Sequence, residues 1–485
     1  MINSIFKYFT ELCGVPRVSH KEAAICDYLC HWAEKEGLQV RKHYVSTKPG
    51  DDENRFNVII DVPATEGREN TPVTILQAHM DMVAASALAY EPVISHLVYA
   101  QDEEILKSDG TVNIGADDGL GIATIQHVIT DKNLSHGPLR AIFTVDEEDG
   151  MEGAEELAEE FVADAGYVIN CDWEDADTAC VSCAGGRVFR FTKDVDTVPM
   201  QGELYKLRLM GLMGGHSGTE IHKGYANAIL SLGFALKELE EAGVRFHLVS
   251  FAGGTAKNAI PDNAEVIIAV SEEDGDKLQP AFKAAVDAFQ NIYGNTEPSV
   301  VFTMEPCCES ASVMYGETDT KRLMQFLLCL PDGVNTMSAH IPELVESSSN
   351  LGRITCDAEK MQIEVLERSS VEAMADRQQR TFMELGEVFG FKAECLSSFP
   401  GWSVNPKSRL TELCKEVYRE MTGKEIRIEP VHAGLECGFF ASKNPKLDII
   451  SIGATVKDIH TVQETAYLRT LPITVGIIYG ILNRI

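Results

Sequence analysis

Four short polar clusters in the first 172 residues carry side chains from which a metal site could be built. They contain a His and several carboxylates and need no cysteine, a donor set that suits divalent zinc, cobalt or manganese. A carboxylate shared by two such ions would hold them ~3.5–4 Å apart, the spacing of hydrolytic di-metal sites. The clusters are 77–83 (QAHMDMV), 115–119 (GADDG), 146–150 (DEEDG) and 169–172 (INCD).

Each cluster by itself has an ordinary structural interpretation. A His-x-Asp pair after a strand is commonly a turn, an acidic run such as 146–149 is commonly a solvated loop, and 115–119 is commonly a tight turn. Their order at successive strand ends favours one shared metal site. A phosphate-binding loop at 115–121 is excluded, because Asp117 and Asp118 would face the anion and the phosphate-loop Lys is absent.

The elements that must position these clusters alternate between predicted strands and helices. Strands are predicted at 57–62, 73–77, 139–145 and 166–169, and a helix is predicted at 120–128. Some of the strands are nearly continuous in apolar residues, which is typical of a mostly parallel sheet buried under helices. Ligands gather at the carboxyl ends of strands in open α/β sheets, so the four clusters are expected to converge.

The pattern changes in the middle of the chain and returns near its end. Between about Gly186 and Ser398, strands with interleaved polar residues are followed by helices such as 225–241 and 371–389. After Pro400 the α/β pattern resumes. The predicted organisation is therefore one domain formed by 1–186 and 399–485, interrupted by an inserted α+β domain at 187–398.

Composition limits the partners that this protein is expected to have. The chain has 485 residues, 45% of them hydrophobic, and 42 basic against 74 acidic side chains give a formal charge of −32. Such a surface repels phosphate backbones and anionic lipid, so neither nucleic acid nor membrane is an expected partner. Thirteen cysteines, an odd number scattered through apolar stretches, predict reduced buried thiols. With no signal segment or membrane-length apolar run, a cytoplasmic location is expected.

Seven ordered motifs carry a resemblance that extends over nearly the whole chain. They lie at 77–83, 115–121, 147–153, 169–172, 214–218 (GGHSG), 257–261 (KNAIP) and 432–438 (HAGLECG). In these motifs the chain resembles the aminoacyl-histidine dipeptidases of the peptidase D type, also called cytosol non-specific dipeptidases. They belong to the co-catalytic di-zinc peptidase clan, together with carnosinases and aminoacylases. The resemblance implies a zinc-exopeptidase-like catalytic domain with an inserted lid domain.

The same resemblance implies a set of metal ligands. Asp117 would bridge two divalent ions, most simply Zn²⁺, with Co²⁺ or Mn²⁺ as alternatives, and the peptide after it would be cis. The remaining ligands would be His79 and Asp172 on one ion, and Glu148 and His460 on the other. His432 is the competing histidine for His460, whose local sequence is shorter than the family's loop. Asp118 stands where relatives often have Asn, and Asp146 where Thr is common.

Catalytic and substrate-binding roles also follow from the resemblance. Glu147 would be the general base on a metal-bridging water, and Asp81 would orient His79. From the lid, His216 would stabilise the oxyanion. The residues placed by resemblance at the substrate are Asn258, Arg368, His432 and Gly434. The implied partners are a small peptide and a second copy of the chain in a homodimer.

Three functions are compared on this basis. Hydrolysis of unblocked dipeptides, Xaa-His and others, is the leading hypothesis, with Arg368 holding the terminal carboxylate and Asp118 and Glu436 attracting the free amino group. An N-acyl amino-acid deacylase would use the same metal centre on a blocked substrate. A non-catalytic metal-binding protein is disfavoured by Glu147, which no metal requires.

Overall fold

The computed structural model describes residues 1–85, 96–100, 104–339 and 341–485. Within them the chain forms two compact units. Unit 1 comprises Met1–Cys183, Gly401–Pro430 and Leu435–Ile485, and unit 2 comprises Ala184–Pro400 and Val431–Gly434. Each unit is built around a hydrophobic core of its own.

The first part of unit 1 alternates helices and strands. Its helices are α1 (Ile2–Leu12), α2 (Ala23–Lys35), α3 (Ala116–Thr130) and α4 (Glu152–Glu156). Its strands are β1 (Gln39–Tyr44), β2 (Phe56–Val62), β3 (Val73–His79), β4 (Leu97–Ala100), β5 (Ile105–Ser108), β6 (Leu139–Thr144), β7 (Ala165–Asn170) and β8 (Thr178–Cys183). The apolar strands β2, β3 and β6 are buried almost throughout, as their composition predicts.

The next part of the chain builds unit 2. Its strands are β9 (Gly185–Asp194), β10 (Thr197–Pro199), β11 (Glu203–Met210), β12 (Phe246–Gly253), β13 (Ala264–Val270), β14 (Val301–Pro306), β15 (Val313–Tyr315), β16 (Gly333–Met337), β17 (Val345–Cys356), β18 (Lys360–Ser369) and β19 (Lys392–Phe399). Its helices are α5 (Ala228–Glu241), α6 (Gly275–Tyr293), α7 (Glu317–Cys329) and α8 (Glu372–Phe389). Helix α5 begins three residues after the predicted Tyr225, because the Asn227 side chain accepts the N–H groups of Ile229 and Leu230 as its N-cap.

The last part of the chain returns to unit 1. Its elements are α9 (Arg409–Thr422), β20 (Arg427–Val431), α10 (Cys437–Lys443), β21 (Asp448–Ser451), β22 (Val456–Lys457), β23 (Thr465–Tyr467) and α11 (Leu471–Leu482). Helix α9 buries Leu410, Leu413, Cys414 and Val417, a spacing of three and four residues that places one apolar face on the core.

One eight-stranded sheet organises unit 1, in the order β1-β2-β6-β3-β7-β21-β8-β20. Its central strands β6, β3, β7 and β21 are parallel, whereas β1 pairs antiparallel with β2, β2 with β6, and β8 with β21. The predicted α/β fold with helices around a sheet is confirmed, and the parallel part is its centre. A separate four-stranded sheet has the order β22-β23-β5-β4.

Unit 2 is an α+β unit built on a nine-stranded antiparallel sheet. Eight strands follow the order β14-β11-β13-β12-β17-β18-β9-β19, and β16 pairs with β17 outside this path. Strands β10 and β15 form a two-stranded sheet. The core packs aromatic residues of β9 against the helices, with the ring centres of Phe191 and Phe326 4.9 Å apart.

The unit junctions fall at 183/184 and 400/401, within three residues of the proposed 186/187 and 398/399. A further difference concerns 399–485, all of which was placed in one domain. Val431–Gly434 belongs to unit 2. Two contacts explain the difference: Ala433 O accepts the N–H of Ala184 at 3.0 Å, and His432 Nε2 lies 2.7 Å from Ser348 Oγ. Among the described residues, no helix combines the length and the apolar character that crossing a membrane requires.

Candidate functional site

The carboxyl ends of three parallel strands bring the predicted metal ligands of unit 1 together. His79 ends β3 and lies opposite Thr144, the last residue of β6. On the other side of β3, Gln77 lies opposite Asn170, the last residue of β7. The residues that follow these ends are therefore neighbours at one edge of the sheet.

Five side chains form a continuous series of close contacts at this edge. His79 Nε2 lies 3.1 Å from Asp117 Oδ1 and 3.2 Å from Asp172 Oδ1. His460 Nε2 lies 3.1 Å from Asp117 Oδ2 and 2.9 Å from Glu148 Oε1. The Asp117 carboxylate thus has one imidazole against each oxygen. The second imidazole of this series is that of His460, whereas His432 belongs to unit 2 and contacts Ser348.

The electrostatics of this series reflect buried acids placed against imidazoles. Hydrogen bonds with Asp117 and Glu148 raise the pKa of His460 to about 10. Burial lowers the pKa of His79, but the Asp172 and Asp117 carboxylates outweigh it and hold that pKa well above its usual range. Burial opposes ionisation of Asp117, yet both imidazoles hold its pKa below the ordinary value.

Asp81 connects His79 to the loop that carries the two glutamates. Its Oδ1 lies 3.4 Å from His79 Nδ1 and accepts the N–H of Glu147 at 3.0 Å. Its Oδ2 accepts the N–H of Glu148 at 3.2 Å and the hydroxyl of Ser19 at 2.8 Å. This fully buried carboxylate can therefore fix both the His79 ring and the loop of Glu147.

Glu147 lies among other acids at the same strand ends. Burial raises its pKa well above the ordinary value, and the charges of Asp172, Glu148 and Glu436 act in the same direction. A carboxylate whose pKa is raised accepts a proton readily, which is the property required of a general base.

Asp118 lies beside the contact series, with a carboxylate oxygen within 4.8 Å of ligand atoms of His79 and Asp172. It is buried, and its Oδ1 accepts the N–H of Gly121 at 3.1 Å. The peptide bond between Asp117 and Asp118 is cis, as the resemblance implies. Glu436, the other acid considered for an amino group, is fully buried, and its Oε2 accepts the Thr144 hydroxyl at 2.8 Å. Its Oε1 has no hydrogen-bond partner among the residues that the structure describes.

Unit 2 gathers a second group of predicted site residues around His216. His216 Nδ1 accepts the N–H of Thr219 at 3.1 Å, so the proton of the neutral ring lies on Nε2. This Nε2 lies 3.4 Å from Arg368 Nη2. Burial and the Arg368 charge lower the pKa of His216 to about 4, which keeps the ring neutral at pH 7. Two donor groups, His216 Nε2 and Arg368 Nη2, therefore lie next to each other, an arrangement that suits the binding of an anion.

His432 belongs to the same group. Burial and the charges of Arg368 and His216 lower the pKa of His432 to about 3. Its Nε2 lies 2.7 Å from the Ser348 hydroxyl. Gly218 permits this packing, because a Cβ there would lie 2.2 Å from His432 O and 3.0 Å from His216 Cε1.

The remaining two predicted residues lie on loops of unit 2. Asn258 is exposed, and its carbonyl accepts the N–H of Ser217, next to His216, at 2.9 Å. Gly434 is half-buried and follows His432 by two residues. The twelve predicted residues therefore fall into two groups. The seven in unit 1 are His79, Asp81, Asp117, Glu147, Glu148, Asp172 and His460, and the five in unit 2 are His216, Asn258, Arg368, His432 and Gly434.

Comparison with known proteins identifies the family. The sequence profile of Peptidase family M20/M25/M40 matches residues 75–484. The chain is 32% identical over 477 residues to the cytosol non-specific dipeptidase of Escherichia coli strain K12, covering 96% of this chain and 94% of that protein. The chain belongs to peptidase family M20/M25/M40. Membership makes it a hydrolase that acts on peptide bonds.

Solved structures resemble this M20 peptidase over nearly its whole length. The aminoacylhistidine dipeptidase of Vibrio alginolyticus is 30% identical, with a TM-score of 0.86 over 99% of this chain and 96% of that one. Human carnosine dipeptidase 1 is 10% identical, with a TM-score of 0.51 over 99% of this chain and 95% of that one. The latter likeness concerns the fold alone.

Several residues that support the two groups of this M20 peptidase were not predicted from the sequence. Ser348 contacts His432, and Asn350 Nδ2 donates to the carbonyls of Lys257 and Ala259 at 3.0 and 2.9 Å, on either side of Asn258. Both lie in the polar run 347–350 of a strand, and that run was the available signal. Nothing in the local sequence marked two further supporting residues, Arg17 and Glu464.

Proposed function

We propose that this chain is a di-zinc dipeptidase that hydrolyses unblocked dipeptides, Xaa-His among them. The observation that carries the proposal is the contact series Asp172–His79–Asp117–His460–Glu148 at one edge of the unit 1 sheet. The names of the Escherichia coli and Vibrio alginolyticus relatives, both dipeptidases, support the same activity.

The donor set of unit 1 fits two divalent ions. Ligand atoms of His79, Asp117 and Glu148 lie within 4.8 Å of one another, and so do those of His79, Asp118 and Asp172. Buried carboxylates in such number require compensating positive charge. We assign Asp117 to both ions, His79 and Asp172 to one, and Glu148 and His460 to the other. When bound, the two ions would polarise the scissile carbonyl and lower the pKa of a water to ~7.

Within this proposal, Glu147 moves the proton. Its carboxylate takes a proton from the attacking water and later delivers it to the leaving amine. Asp81 holds the N–H of Glu147 and faces His79, so it fixes the base and a ligand together. Neither proton transfer requires Glu147 to bind metal. The presence of this glutamate therefore supports a catalytic role over passive metal binding.

The unit 2 group supplies donors for the negatively charged parts of the substrate. We assign Arg368 to the terminal carboxylate, since a guanidinium matches a carboxylate with two parallel hydrogen bonds. Asn258, His432 and Gly434 are assigned to the same part of the substrate. His216, neutral and protonated on Nε2, is assigned to the oxyanion that develops on the scissile carbonyl.

This arrangement selects substrates by length and by charge. A fixed terminal carboxylate determines which peptide bond meets the metals, so one residue beyond a dipeptide would be misplaced. A free amino group carries a positive charge that the acidic surroundings of Asp118 and Glu436 favour, and N-acetylation removes that charge. We also propose a cytoplasmic location, in keeping with the name of the Escherichia coli relative, and a homodimer, which light scattering can test.

A substrate panel tests the proposed function. The metal-loaded enzyme is given Xaa-His and other dipeptides, the corresponding tripeptides and N-acetyl amino acids, and kcat/KM is measured for each. We expect the highest values for unblocked dipeptides. Preferred cleavage of N-acetyl amino acids would replace the proposal with the deacylase function. Absence of hydrolysis in a preparation holding two ions per chain would reject both.

A further inference from the structure

One buried carboxylate accepts four consecutive backbone N–H groups at the loop that precedes Asp117. Glu464 Oε2 accepts the N–H groups of Ile114 and Gly115, both at 2.8 Å. Glu464 Oε1 accepts the N–H groups of Ala116, at 2.8 Å, and Asp117, at 3.2 Å. The Glu464 side chain is almost completely buried, with an exposed fraction of 1% for the residue.

These four donors have few alternatives. They lie where α3 begins, and the first N–H groups of a helix have no partner within the helix. Leaving a buried N–H without an acceptor is costly, and a charged acceptor forms stronger bonds than a neutral one. Glu464 therefore satisfies the donors of this loop together and fixes the path of the backbone that carries Asp117.

Arg17 holds the same loop through a backbone carbonyl, whereas Glu464 holds it through its N–H groups. Its guanidinium donates to Gly115 O, and also to the carbonyls of Met80 and Asp81, both at 3.0 Å. Gly115 has a φ of 65°, and a Cβ there would lie 2.4 Å from Arg17 Nη2. The Gly115 residue is thus held at its N–H by Glu464 and at its carbonyl by Arg17, in a space that admits no side chain.

Glu464 also belongs to the segment that carries His460. Its own N–H donates to the carbonyl of Thr461 at 3.2 Å, within the connection between β22 and β23. One carboxylate therefore joins the backbone of Asp117 to the loop of His460, and these are the two side chains that contact each other at 3.1 Å.

We propose that Glu464 is a positioning residue that sets the metal affinity of the site by fixing Asp117 relative to His460. The inference rests on the proposed function, in which Asp117 and His460 are ligands. Glu464 contacts the metal ligands through the backbone only, so its loss should weaken metal binding more than it changes chemistry on the metal-loaded enzyme.

The test compares Glu464→Gln with the wild-type protein. Zinc affinity is measured by competition with a chromophoric chelator, and kcat is measured at saturating zinc. The amide removes the charge and one acceptor oxygen, so we expect zinc affinity to fall on the order of 10- to 100-fold, the range for groups that support metal ligands. We expect most of kcat to return when zinc is raised to saturation.

Glu297→Gln is the matched control. Glu297 is a buried carboxylate of unit 2 that accepts the N–H groups of Met213, at 2.7 Å, and Ala226, at 2.9 Å. It should retain the zinc affinity of the wild type. Equal zinc affinity in Glu464→Gln and the wild type, or equal losses in the two variants, would overturn the inference.

A second variant keeps the inference testable if Glu464→Gln does not fold. Glu464→Asp retains the charge but is one methylene shorter, and we expect a zinc affinity between those of the wild type and the glutamine variant. An aspartate variant that binds zinc as tightly as the wild type would contradict the role of the four-donor geometry. Failure of the wild type to bind two ions would instead reject the proposed function itself.

Discussion

The Oδ2 atom of Asp117 lies 3.1 Å from Nε2 of His460, although 343 residues separate them in the chain. The other oxygen of the same carboxylate lies 3.1 Å from His79 Nε2. Asp117 is therefore the member of the contact series on which both imidazoles converge. If the proposed ions occupy this site, loss of its carboxylate affects both of them.

Removing the metals, or the carboxylate shared by them, should abolish hydrolysis. Chelation should eliminate activity, and added zinc, cobalt or manganese should restore it. Asp117→Asn should lower metal affinity by at least ~100-fold, the upper end of the range for groups that only support ligands. Metal content by mass spectrometry checks the result, with Asp27→Asn, an exposed aspartate of α2, as the control. Full activity in a metal-free preparation would end the proposal.

Substitution of the proposed base should separate chemistry from metal binding. Glu147→Gln keeps the size of the side chain but cannot accept a proton, so kcat should fall by at least ~10²-fold while both ions remain bound. The neighbouring Glu148→Gln should lose metal instead, because Glu148 contacts His460. Kinetics and metal analysis of the same preparations distinguish the two. A nearly normal kcat for Glu147→Gln would assign the base elsewhere.

The His216 donor should matter for the rate and not for metal content. His216→Ala removes the Nε2 proton assigned to the oxyanion, and loss of one such donor costs roughly 10²–10³-fold in kcat. His222→Ala, an exposed histidine six residues later, is the control. Steady-state kinetics with metal analysis checks the prediction, and a loss of zinc parallel to the loss of rate would contradict it.

Arg368 should distinguish a dipeptide from its C-terminal amide. Only the acid has a carboxylate to pair with the guanidinium, so Arg368→Ala should raise KM for the dipeptide much more than KM for the amide. Arg353→Ala, an exposed arginine on β17, should change neither. The comparison requires both substrates with each variant. Equal effects on acid and amide would remove Arg368 from the carboxylate site.

The stability of unit 2 should depend on the ionisation of Asp332. Burial raises the pKa of Asp332 from 3.8 to about 6. The folded protein therefore binds this proton more tightly than the unfolded chain does. The contribution of Asp332 to the free energy of unfolding is greatest below about pH 4 and is lost as the pH rises to about 6. Asp332→Asn keeps the oxygen that accepts from Leu351 N–H and Asn227 Nδ2 without acquiring a charge.

The free energy of unfolding of Asp332→Asn, relative to wild type, should consequently increase by about 2 kcal/mol between pH 4 and pH 7. Denaturant unfolding at several pH values measures this difference. Asp287→Asn, an exposed aspartate on α6, controls for the change in net charge. A relative stability that is the same at both pH values would contradict the prediction.

The sequence alone determined which residues stand at the strand ends. His79 and Asp172 come at the end of short apolar runs. Such a run is a property of the local sequence, so it can be recognised without knowing the fold. Helix α9 is predictable for the same reason, since its apolar residues recur at three and four positions. The ordered motifs then carried the family resemblance, and with it the roles proposed for Glu147 and Arg368.

Only the tertiary structure decided how distant segments support these residues. Glu464 meets the N–H groups of residues about 350 positions earlier, and Ser348 meets His432 across 84 positions. Such contacts leave no periodic signal in the sequence, because the packing of the whole chain decides which distant group faces a polar side chain. The strand order places the Asp117 loop beside the His460 loop, and that placement depends on pairing β5 with β23 across the chain.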